Sequence, residues 1–343
     1  MTSEVETAAP EPTEVGETAD VDQAGEAGEA GEVEEPARPA RRVILAVDVG
    51  ATEFQVGLVD ARGTLVDRTA ATIEPDVGPE SHFTTLAGRV LSIVDRAGER
   101  PDVAIVGTGI SCGGRVTRGL EAVTPLSVWS WRDFPLRSRL EELTGLPCYG
   151  DLDARALALA EGWLGAAQGH PNFCAITVSA AVSGGIVLDG DLLDGESGYA
   201  GQVGHFVVEP GGRRCVCGVQ GCLEAEASGP AIDAITGRPA SEPTYQIMQR
   251  TGELVGRTAA ALCNAFDLSL VVVGGSVALG FGSTFLHAAQ VALDERARLP
   301  YSRGARILSS RLGEQGPLVG AGAVGWRGVR RAARNRRQPP KAR

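Results

Sequence analysis

The chain contains 343 residues, with 32 Lys and Arg against 43 Asp and Glu and a formal net charge of −11. This length accommodates two domains. Because residues 1–40 carry twelve of the acidic residues and one arginine, the rest of the chain sums to neutral. The global acidity therefore says little about a partner, and a neutral body argues against nucleic acid as the main ligand.

The two ends of the chain differ in composition from the rest. Residues 1–40 are rich in Gly, Glu and Ala and contain no aromatic residue, which predicts a disordered acidic arm. Residues 327–343 carry eight Lys or Arg in seventeen positions. We interpret this basic tail as a solvated helix end, with contact to RNA or an anionic surface as the alternative.

The sequence also bears on location. The N-terminus is acidic where a signal peptide is basic, and no apolar run approaches the length that spans a bilayer. Four cysteines have scattered positions in apolar surroundings, which is typical of reduced core thiols: Cys112, Cys148, Cys174 and Cys263. We expect a cytoplasmic protein with no membrane partner.

The ordered chain begins with a predicted β-meander. Residues 43–47 form a short apolar run fit for a buried strand, and Gly50 and Ala51 permit a tight turn. A second strand is expected over 54–60, and a turn at 61–63 returns the chain to a third strand.

A similar pattern occurs at residues 174–190. Residues 174–178 form an apolar run, the small residues 179–185 predict a turn, and Gly190 closes the next hairpin. The segments GLVDARGTLV and GIVLDGDLLD are alike. This duplication predicts two similar lobes that face one cleft.

Helices and strands alternate in the rest of the chain. The predicted elements are a helix with apolar spacing at Leu86, Val90, Ile93 and Val94, a strand over VAIVGTGIS, a helix ended by Gly145, a strand that leads through Asp151 and Asp153 into an alanine-rich helix, helices around residues 230–265, and a strand that meets Gly274 and Gly275 before another helix. The alternation predicts an α/β architecture with glycines at the strand ends, where ligands bind.

Four residues within one short stretch have the chemistry of a metal site: His205, Cys215, Cys217 and Cys222. One imidazole and three thiolates form a complete tetrahedral zinc set, which holds structure and does not activate water. Disulfides and inert core thiols are the alternatives. Cys215 and Cys217 are too close to bridge each other easily, and four nearby glycines favour an irregular loop over a packed element. We predict a structural Zn²⁺.

Four segments carry a resemblance to a known family. DVGAT at 48–52 resembles the first phosphate motif of the actin-like sugar kinase superfamily. GQVGHFVVEPGGRRCVCGVQGCLE resembles the signature of its ROK branch, which comprises bacterial glucokinases, N-acetylmannosamine kinases and sugar-responsive repressors. PLSVWSWRDFPLRSRL and VVVGGSVA are similar to the branch's sugar-loop and nucleotide segments. The resemblance runs from about residue 43 to 326.

This resemblance implies an α/β, two-lobed actin-like ATPase (ribonuclease H-like) fold with a zinc-stapled loop. The N-terminal lobe is expected over residues 41–150 and the C-terminal lobe over 151–326, between the acidic arm and the basic tail. The resemblance also implies ATP and Mg²⁺ as cofactors, a small-molecule sugar as partner, and a homodimer or homotetramer.

On the nucleotide side, Asp48 is expected to orient a magnesium-bound water, while Gly50 and the Thr52 hydroxyl let the chain approach phosphate oxygens. A plain turn is the alternative for so short a match. The resemblance adds four cofactor-binding glycines: Gly184, Gly185, Gly274 and Gly275.

On the sugar side, Asp153 aligns with the family's catalytic aspartate, which accepts the proton of the attacking sugar hydroxyl. A helix N-cap is the alternative role for Asp153, and both roles are compatible. The resemblance implies that His205 gives one ring nitrogen to zinc and the other to the sugar, and that Glu224 is a second sugar ligand. The other substrate-binding residues it implies are Gly114, Ser127 and Gln202.

The sequence departs from the family pattern at several positions. Leu152 replaces the usual asparagine before the catalytic aspartate, Gln202 replaces a common glutamate, and Ser127 replaces the sugar-loop asparagine. Residues 179–185 lack a threonine and two glycines of the usual phosphate loop, and each added Cβ crowds the backbone where phosphate approaches.

Two functions are therefore compared. The one we favour is an ATP- and Mg²⁺-dependent hexose kinase of the glucokinase type with Asp153 as base. The second is a non-catalytic or weakly catalytic member that binds a sugar or a partner. A repressor is disfavoured because the segment before Val43 is an acidic arm and not a helix-turn-helix domain.

Overall fold

The computed structural model describes residues 40–337, so residues 1–39 of the predicted acidic arm and residues 338–343 of the basic tail lie outside the described chain. The strands are β1 (Arg41–Val49), β2 (Glu53–Asp60), β3 (Leu65–Thr72), β4 (Val103–Cys112), β5 (Arg115–Val116), β6 (Val123–Thr124), β7 (Cys148–Leu152), β8 (Phe173–Val178), β9 (Val182–Leu188), β10 (Asp191–Leu192), β11 (Leu270–Gly274) and β12 (Arg306–Ser309). The helices are α1 (Pro79–Gly98), α2 (Leu136–Thr144), α3 (Asp153–Trp163), α4 (Leu223–Ala227), α5 (Gly229–Thr236), α6 (Tyr245–Phe266), α7 (Ser276–Arg296) and α8 (Gly316–Arg337).

Two sheets of five strands repeat one topology. The first has the order β3-β2-β1-β4-β7, in which β1, β2 and β3 are antiparallel neighbours and β1, β4 and β7 are parallel. The second has the order β10-β9-β8-β11-β12 with the same directions. The predicted meander at 43–72 and its duplication after residue 173 are both present in this arrangement.

Two helices occupy the space between the sheets. Helix α8 packs against β1, β4 and α3, while α3 packs against β8 and β9. The backbones approach closely, because a Cβ at Gly109 of β4 would lie only 1.9 Å from the carbonyl oxygen of Ala321 in α8. The central strand β1 is buried from Val43 to Val49, as expected for a strand covered on both faces.

The C-terminal boundary differs from the sequence-based expectation. Helix α8 continues from Gly316 to Arg337, so the predicted start of the basic tail at residue 327 falls inside a helix. Arg327 is half-buried, whereas the later arginines of α8 are exposed. Because α8 packs on the first sheet, the predicted end of the second lobe at residue 326 lies in a helix that also belongs to the packing of the first sheet. The division into lobes stays a prediction.

Helix α7 corrects one expectation about membranes. It has 21 residues and is long and apolar enough to cross a bilayer by length and composition, although the sequence was expected to hold no such run. The core helix of a globular protein passes the same test. Here α7 packs along α6 and buries residues such as Phe281, Phe285 and Leu293, so packing explains its apolar composition.

Candidate active site

The carboxyl ends of β1, β4 and β7 meet at one edge of the first sheet. The parallel register pairs Asp48 with Ser111, and Ser111 with Asp151. Asp153 follows as the first residue of α3. Ligands of open α/β sheets bind beyond the carboxyl ends of parallel strands. The order of strands therefore brings three carboxylates to the edge where a ligand is expected.

Asp48 is buried at this edge, with 5% of its surface exposed. The pKa of Asp48 is raised to about 7, mainly by burial; a hydrogen bond with the Ser111 side chain opposes this rise, and the negative charges of Asp153 and Glu53 contribute to it. An inward-facing carboxylate of this kind gains stability from a nearby cation. Asp48 thus fits the Mg²⁺-associated role that its motif implies.

Asp153 is half-buried at the same edge. Burial raises its pKa, whereas hydrogen bonds from the Ala154 backbone N–H and the Ser183 hydroxyl lower it. Those two donors lie 2.7 Å and 3.5 Å from Oδ1. A Cβ at Gly113 would lie 2.9 Å from Oδ2. No motif in the sequence marks Gly113, whose lack of a side chain leaves the space that the carboxylate occupies.

The N-cap alternative for Asp153 is wrong in detail. Leu152 occupies the N-cap position of α3, and Asp153 is the first helical residue. A carboxylate in the first turn is still favoured by the helix dipole. Leu152 is buried in the core of the first sheet. Its side chain is therefore part of the packed interior at the position where the family usually has asparagine.

The first two residues of β9 connect Asp153 with the metal-binding segment. Ser183 donates to Asp153, and the Val182 backbone N–H donates to Glu224 Oε2 at 3.3 Å. A Cβ at Gly204 would lie 2.0 Å from the Val182 carbonyl oxygen. Gly204 directly precedes the histidine of the metal cluster. The candidate base Asp153 and the predicted sugar ligands Glu224 and His205 therefore all lie close to the first two residues of β9.

Gln202 lies beside the same strand. The backbone N–H of Gly184 donates to the Gly201 carbonyl at 2.7 Å. Gly201 has a φ of 107°, and a Cβ there would lie 2.2 Å from the Gly184 carbonyl oxygen, so only glycine fits. The close contact fixes the backbone that carries Gln202 next to β9.

The predicted small-residue turn at 179–185 is too long. Residues 179–181 form the turn, where the Ser179 N–H donates to the Ala181 carbonyl, and Gly184 and Gly185 lie inside β9. A Cβ at Gly185 would lie 2.7 Å from Ala158 Cβ of α3. The two glycines thus serve strand pairing and helix packing, and a phosphate contact for them stays a prediction.

The predicted phosphate turn and sugar loop are joined directly. The Ser127 hydroxyl donates to the Gly50 carbonyl at 2.7 Å, while Thr52 is exposed. Gly114 has a φ of 96°, and a Cβ there would lie 2.7 Å from the Thr124 carbonyl oxygen. Ser127 therefore supports the turn, and its predicted contact with sugar stays a prediction.

Gly274 and Gly275 lie at the matching edge of the second sheet. Gly275 has a φ of 93° and precedes α7, and a Cβ there would lie 2.4 Å from the Val178 carbonyl oxygen. The end of β11 therefore touches the end of β8. The free N–H groups at the start of α7 are typical partners for a phosphate, which supports the predicted nucleotide contact.

The four predicted metal ligands converge. The ligand atoms of His205, Cys215, Cys217 and Cys222 all lie within 4.8 Å of one another. His205 Nδ1 lies 3.6 Å from Cys215 Sγ, and Cys217 Sγ lies 3.6 Å from Cys222 Sγ. Tetrahedral zinc with bonds of about 2.0–2.3 Å places its ligand atoms roughly 3.5–3.8 Å apart, so the cluster fits Zn²⁺.

Arginines of α6 hold in place the metal-binding segment, residues 205–222, which carries the four predicted ligands. Arg250 donates to the buried Glu226 carboxylate at 2.6 Å, and the Arg213 backbone N–H donates to the same carboxylate. Arg257, two turns further along α6, donates to the Val208 carbonyl at 2.8 Å. Both ends of the segment are thereby tied to one helix.

A buried ion network flanks the site and was missed by the sequence analysis. Arg155 is 2% exposed and donates to Asp151 at 2.5 Å and to Asp194 at 2.7 Å. Asp194 also accepts from Arg327 and Arg331, each at 2.8 Å, and hydrogen bonds from these arginines hold its pKa far below the usual range despite the opposing effect of burial. The network ties α8 to the residues on both sides of Asp153.

The two repeated sheets, with carboxylates at one edge and a Cys₃His cluster nearby, define a duplicated α/β protein. A sequence profile of the ROK family matches residues 44–325. The N-acetylmannosamine kinase of Yersinia pestis (strain Pestoides F) is 34% identical over 254 residues, which cover 69% of this chain and 84% of that protein. The chain belongs to the ROK family.

Solved structures agree with this assignment. The ROK hexokinase from Thermus thermophilus superimposes with a TM-score of 0.70 at 31% identity, covering 84% of this chain and 99% of that one. A ROK family glucokinase from Streptomyces griseus, solved with glucose and AMPPNP, has a TM-score of 0.68 at 27% identity and covers 83% and 100%. The predicted family membership is confirmed. The predicted activity, that of an ATP-dependent sugar kinase, is supported by these relatives.

Proposed function

We propose that the chain is an ATP-dependent kinase of hexose sugars, of the glucokinase type, with Asp153 as the general base. The observation that carries the proposal is the position of Asp153. Its carboxylate lies between Gly113 at the edge of the first sheet and Ser183 at the start of β9. Glu224 contacts the neighbouring residue of that strand.

Asp153 accepts the proton of the attacking sugar hydroxyl. A general base works best when its pKa is near the working pH, and burial raises the pKa of Asp153 toward that range. The Ser183 and Ala154 donors limit this rise and fix the orientation of the carboxylate. Glu224 and the free ring nitrogen of His205 bind sugar hydroxyls and orient the reacting oxygen.

Asp48, Gly50 and the start of α7 hold the nucleotide side. When bound, ATP would supply the phosphoryl group and Mg²⁺ would neutralise the charge that develops on it. The buried Asp48 carboxylate holds the water shell of the cation, and the backbone N–H groups after Gly275 meet phosphate oxygens. The Cys₃His cluster would hold Zn²⁺ through Cys215, Cys217, Cys222 and His205, which would fix the tautomer and orientation of His205 without a part in the chemistry.

A specific observation favours a second function, a sugar-binding protein with little or no catalysis. Leu152 is buried in the core, so it provides no polar atom for the sugar beside Asp153. The turn of residues 179–181 places Ala180 and Ala181 where the family has threonine and glycine. The first feature would weaken binding of the sugar, and the second would weaken binding of the phosphates.

Release of ADP, measured over a panel that includes glucose, mannose and N-acetylmannosamine, tests the proposal. We expect turnover with at least one of these sugars. Restoring the turn with Ala180→Thr and Ala181→Gly should increase it, since loss of one preorganised donor commonly costs roughly a hundredfold in rate. Ser183 is kept in the restored protein because it contacts Asp153. Sugar binding by calorimetry without ADP release from either protein would favour the second function.

The identity of the sugar and a homodimeric or homotetrameric state remain proposals, as does a cytoplasmic location. The glucokinase type and the N-acetylmannosamine type differ at the sugar's second carbon, which carries a hydroxyl in one case and an acetamido group in the other. The same panel therefore distinguishes the two types by their relative kcat/KM.

A further inference from the structure

A groove lies outside the candidate active site. Helix α3, the β9–β10 hairpin and the C-terminal half of α8 enclose about 570 Å³, which is within the usual size range of small-molecule sites. Its walls include Leu159 and Trp163 of α3 and Trp326 of α8. None of the residues assigned above to sugar, nucleotide or zinc lines it, so the groove is separate from the proposed active site.

Four arginines of α8 line this groove: Arg327, and a row of three nearer the end of the helix. Arg330, Arg334 and Arg337 are four and three residues apart, which places them on one face of α8. The row spans about 10 Å at a rise of about 1.5 Å per residue. All three side chains are exposed. Within residues 40–337, no carboxylate lies within ion-pair distance of them.

Their neighbours on the same helix are different. Arg327 and Arg331 both bind Asp194, which Arg155 also binds, so carboxylates of the protein partly compensate their charges. Asp191 is the one carboxylate among the described residues that line the groove, and no arginine of the row reaches it. The groove therefore carries an excess of positive charge along its length.

Helix stability alone does not explain this arrangement. Arginines in the last turn of a helix interact favourably with the helix dipole, and Arg336, outside the groove, serves that purpose equally well. The dipole effect does not require a row that follows a cavity, and it falls off within the last turn, whereas Arg330 lies two turns before the end. The half-buried Trp163 also gives the groove an apolar wall.

We propose that this groove binds an extended oligophosphate anion. Guanidinium groups bind phosphate oxygens in pairs and keep their charge at every physiological pH. A row of three guanidiniums over about 10 Å matches a chain of linked phosphates better than a single phosphate ion. The source of the chain is either an inorganic oligophosphate or the polyphosphate part of a nucleotide, with the tryptophan wall available to the base.

Calorimetry with inorganic tripolyphosphate on the full-length protein tests the proposal. We expect binding that is at least tenfold tighter than that of inorganic phosphate. The combined change Arg330→Gln, Arg334→Gln and Arg337→Gln should weaken tripolyphosphate binding at least tenfold. A matched control, Arg89→Gln, Arg238→Gln and Arg298→Gln, removes the same charge from exposed positions elsewhere and should change it less than threefold.

A second variant separates the groove from general surface charge. Ala333→Phe fills the groove without changing any charge and should weaken tripolyphosphate binding, while Asp191→Asn should strengthen it. The melting temperature of each variant is measured as well, so that a change in tripolyphosphate binding is interpreted only for folded protein. Equal loss in the two arginine triples, or undiminished binding by the Phe variant, would overturn the proposal.

Repeating the titration with ATP in the Asp48→Asn background distinguishes the two sources. Tighter binding of ATP than of tripolyphosphate, lost in the groove variants, indicates a nucleotide, whereas equal affinities indicate the phosphate chain alone. Phosphorylation of sugar should persist in the groove variants, so failure of this proposal is separable from failure of the proposed kinase activity.

Discussion

The hydroxyl of Ser183 lies 3.5 Å from Oδ1 of Asp153 and is the point where strand β9 of the second sheet reaches the candidate base. This contact lowers the pKa of Asp153 against the larger effect of burial. Asp153 therefore depends on both sheets, since Gly113, which directly follows β4 of the first sheet, borders its other oxygen.

Replacement Ser183→Ala should raise the pKa of Asp153, because a donor to the ionised carboxylate is removed. The base must be ionised to accept a proton, so activity rises with pH through this pKa. The acidic limb of the pH profile of kcat/KM should therefore shift to higher pH. Ser183→Thr keeps the hydroxyl and should restore the limb, and an unshifted limb in the alanine variant would disprove the contact's role.

Replacement Gly113→Ala should displace the Asp153 carboxylate, because the new Cβ would lie 2.9 Å from Oδ2. We expect kcat to fall at least tenfold, since small misplacements of catalytic groups are costly. Gly88→Ala is the control, because nothing lies within 4 Å of a Cβ there. Steady-state kinetics of the two variants, with melting temperatures, measure the difference. Equal kcat values for Gly113→Ala and Gly88→Ala would contradict the prediction.

Replacement Cys217→Ser should remove zinc and much of the stability, because the binding energy of a structural zinc is folding energy. Elemental analysis of freshly purified wild type should give about one zinc per chain. Val216→Ser changes the adjacent residue, which is 91% exposed, and should keep the metal. Wild-type protein without zinc, prepared in the absence of chelators, would contradict this prediction.

Replacement Asp48→Asn should stabilise the ligand-free protein at high pH. The pKa of Asp48 is raised to about 7 in the folded protein, so folding favours the protonated form. The stability of the wild type relative to the variant should therefore fall as pH rises from about 4 through about 7. At pH 8 the difference is expected to be on the order of 2 to 4 kcal/mol. Urea unfolding at pH 5 and pH 8 measures it, and a pH-independent difference would argue against a buried ionisation.

The sequence predicts local features of this fold well. The meander of β1 to β3 and its repeat in β8 to β10 are marked by short apolar runs and glycine turns within about thirty residues, where local propensity decides. The Cys₃His set is also local, since its ligands lie between residues 205 and 222. Such short-range patterns can be recognised without knowing how distant segments pack.

The contacts that the sequence did not predict join distant segments. Ser183 and Asp153 are separated by 30 positions, and Arg327 and Asp194 by 133. Gly184 and Gly185 resemble a loop in sequence, but pairing with β8 places them in a strand. Tertiary packing overrides local turn preference at such positions. The role of Gly113 also depends on β7, which reaches its place only through strand pairing.

The most direct measurement of the central claim is sugar-dependent ADP release by wild-type protein and by Asp153→Asn, with sugar affinity measured in parallel by calorimetry. If Asp153 is the general base, the variant should lose at least about a hundredfold in kcat and keep its sugar affinity within about tenfold, because the base acts mainly in the transition state. An Asn variant as active as the wild type would contradict the account.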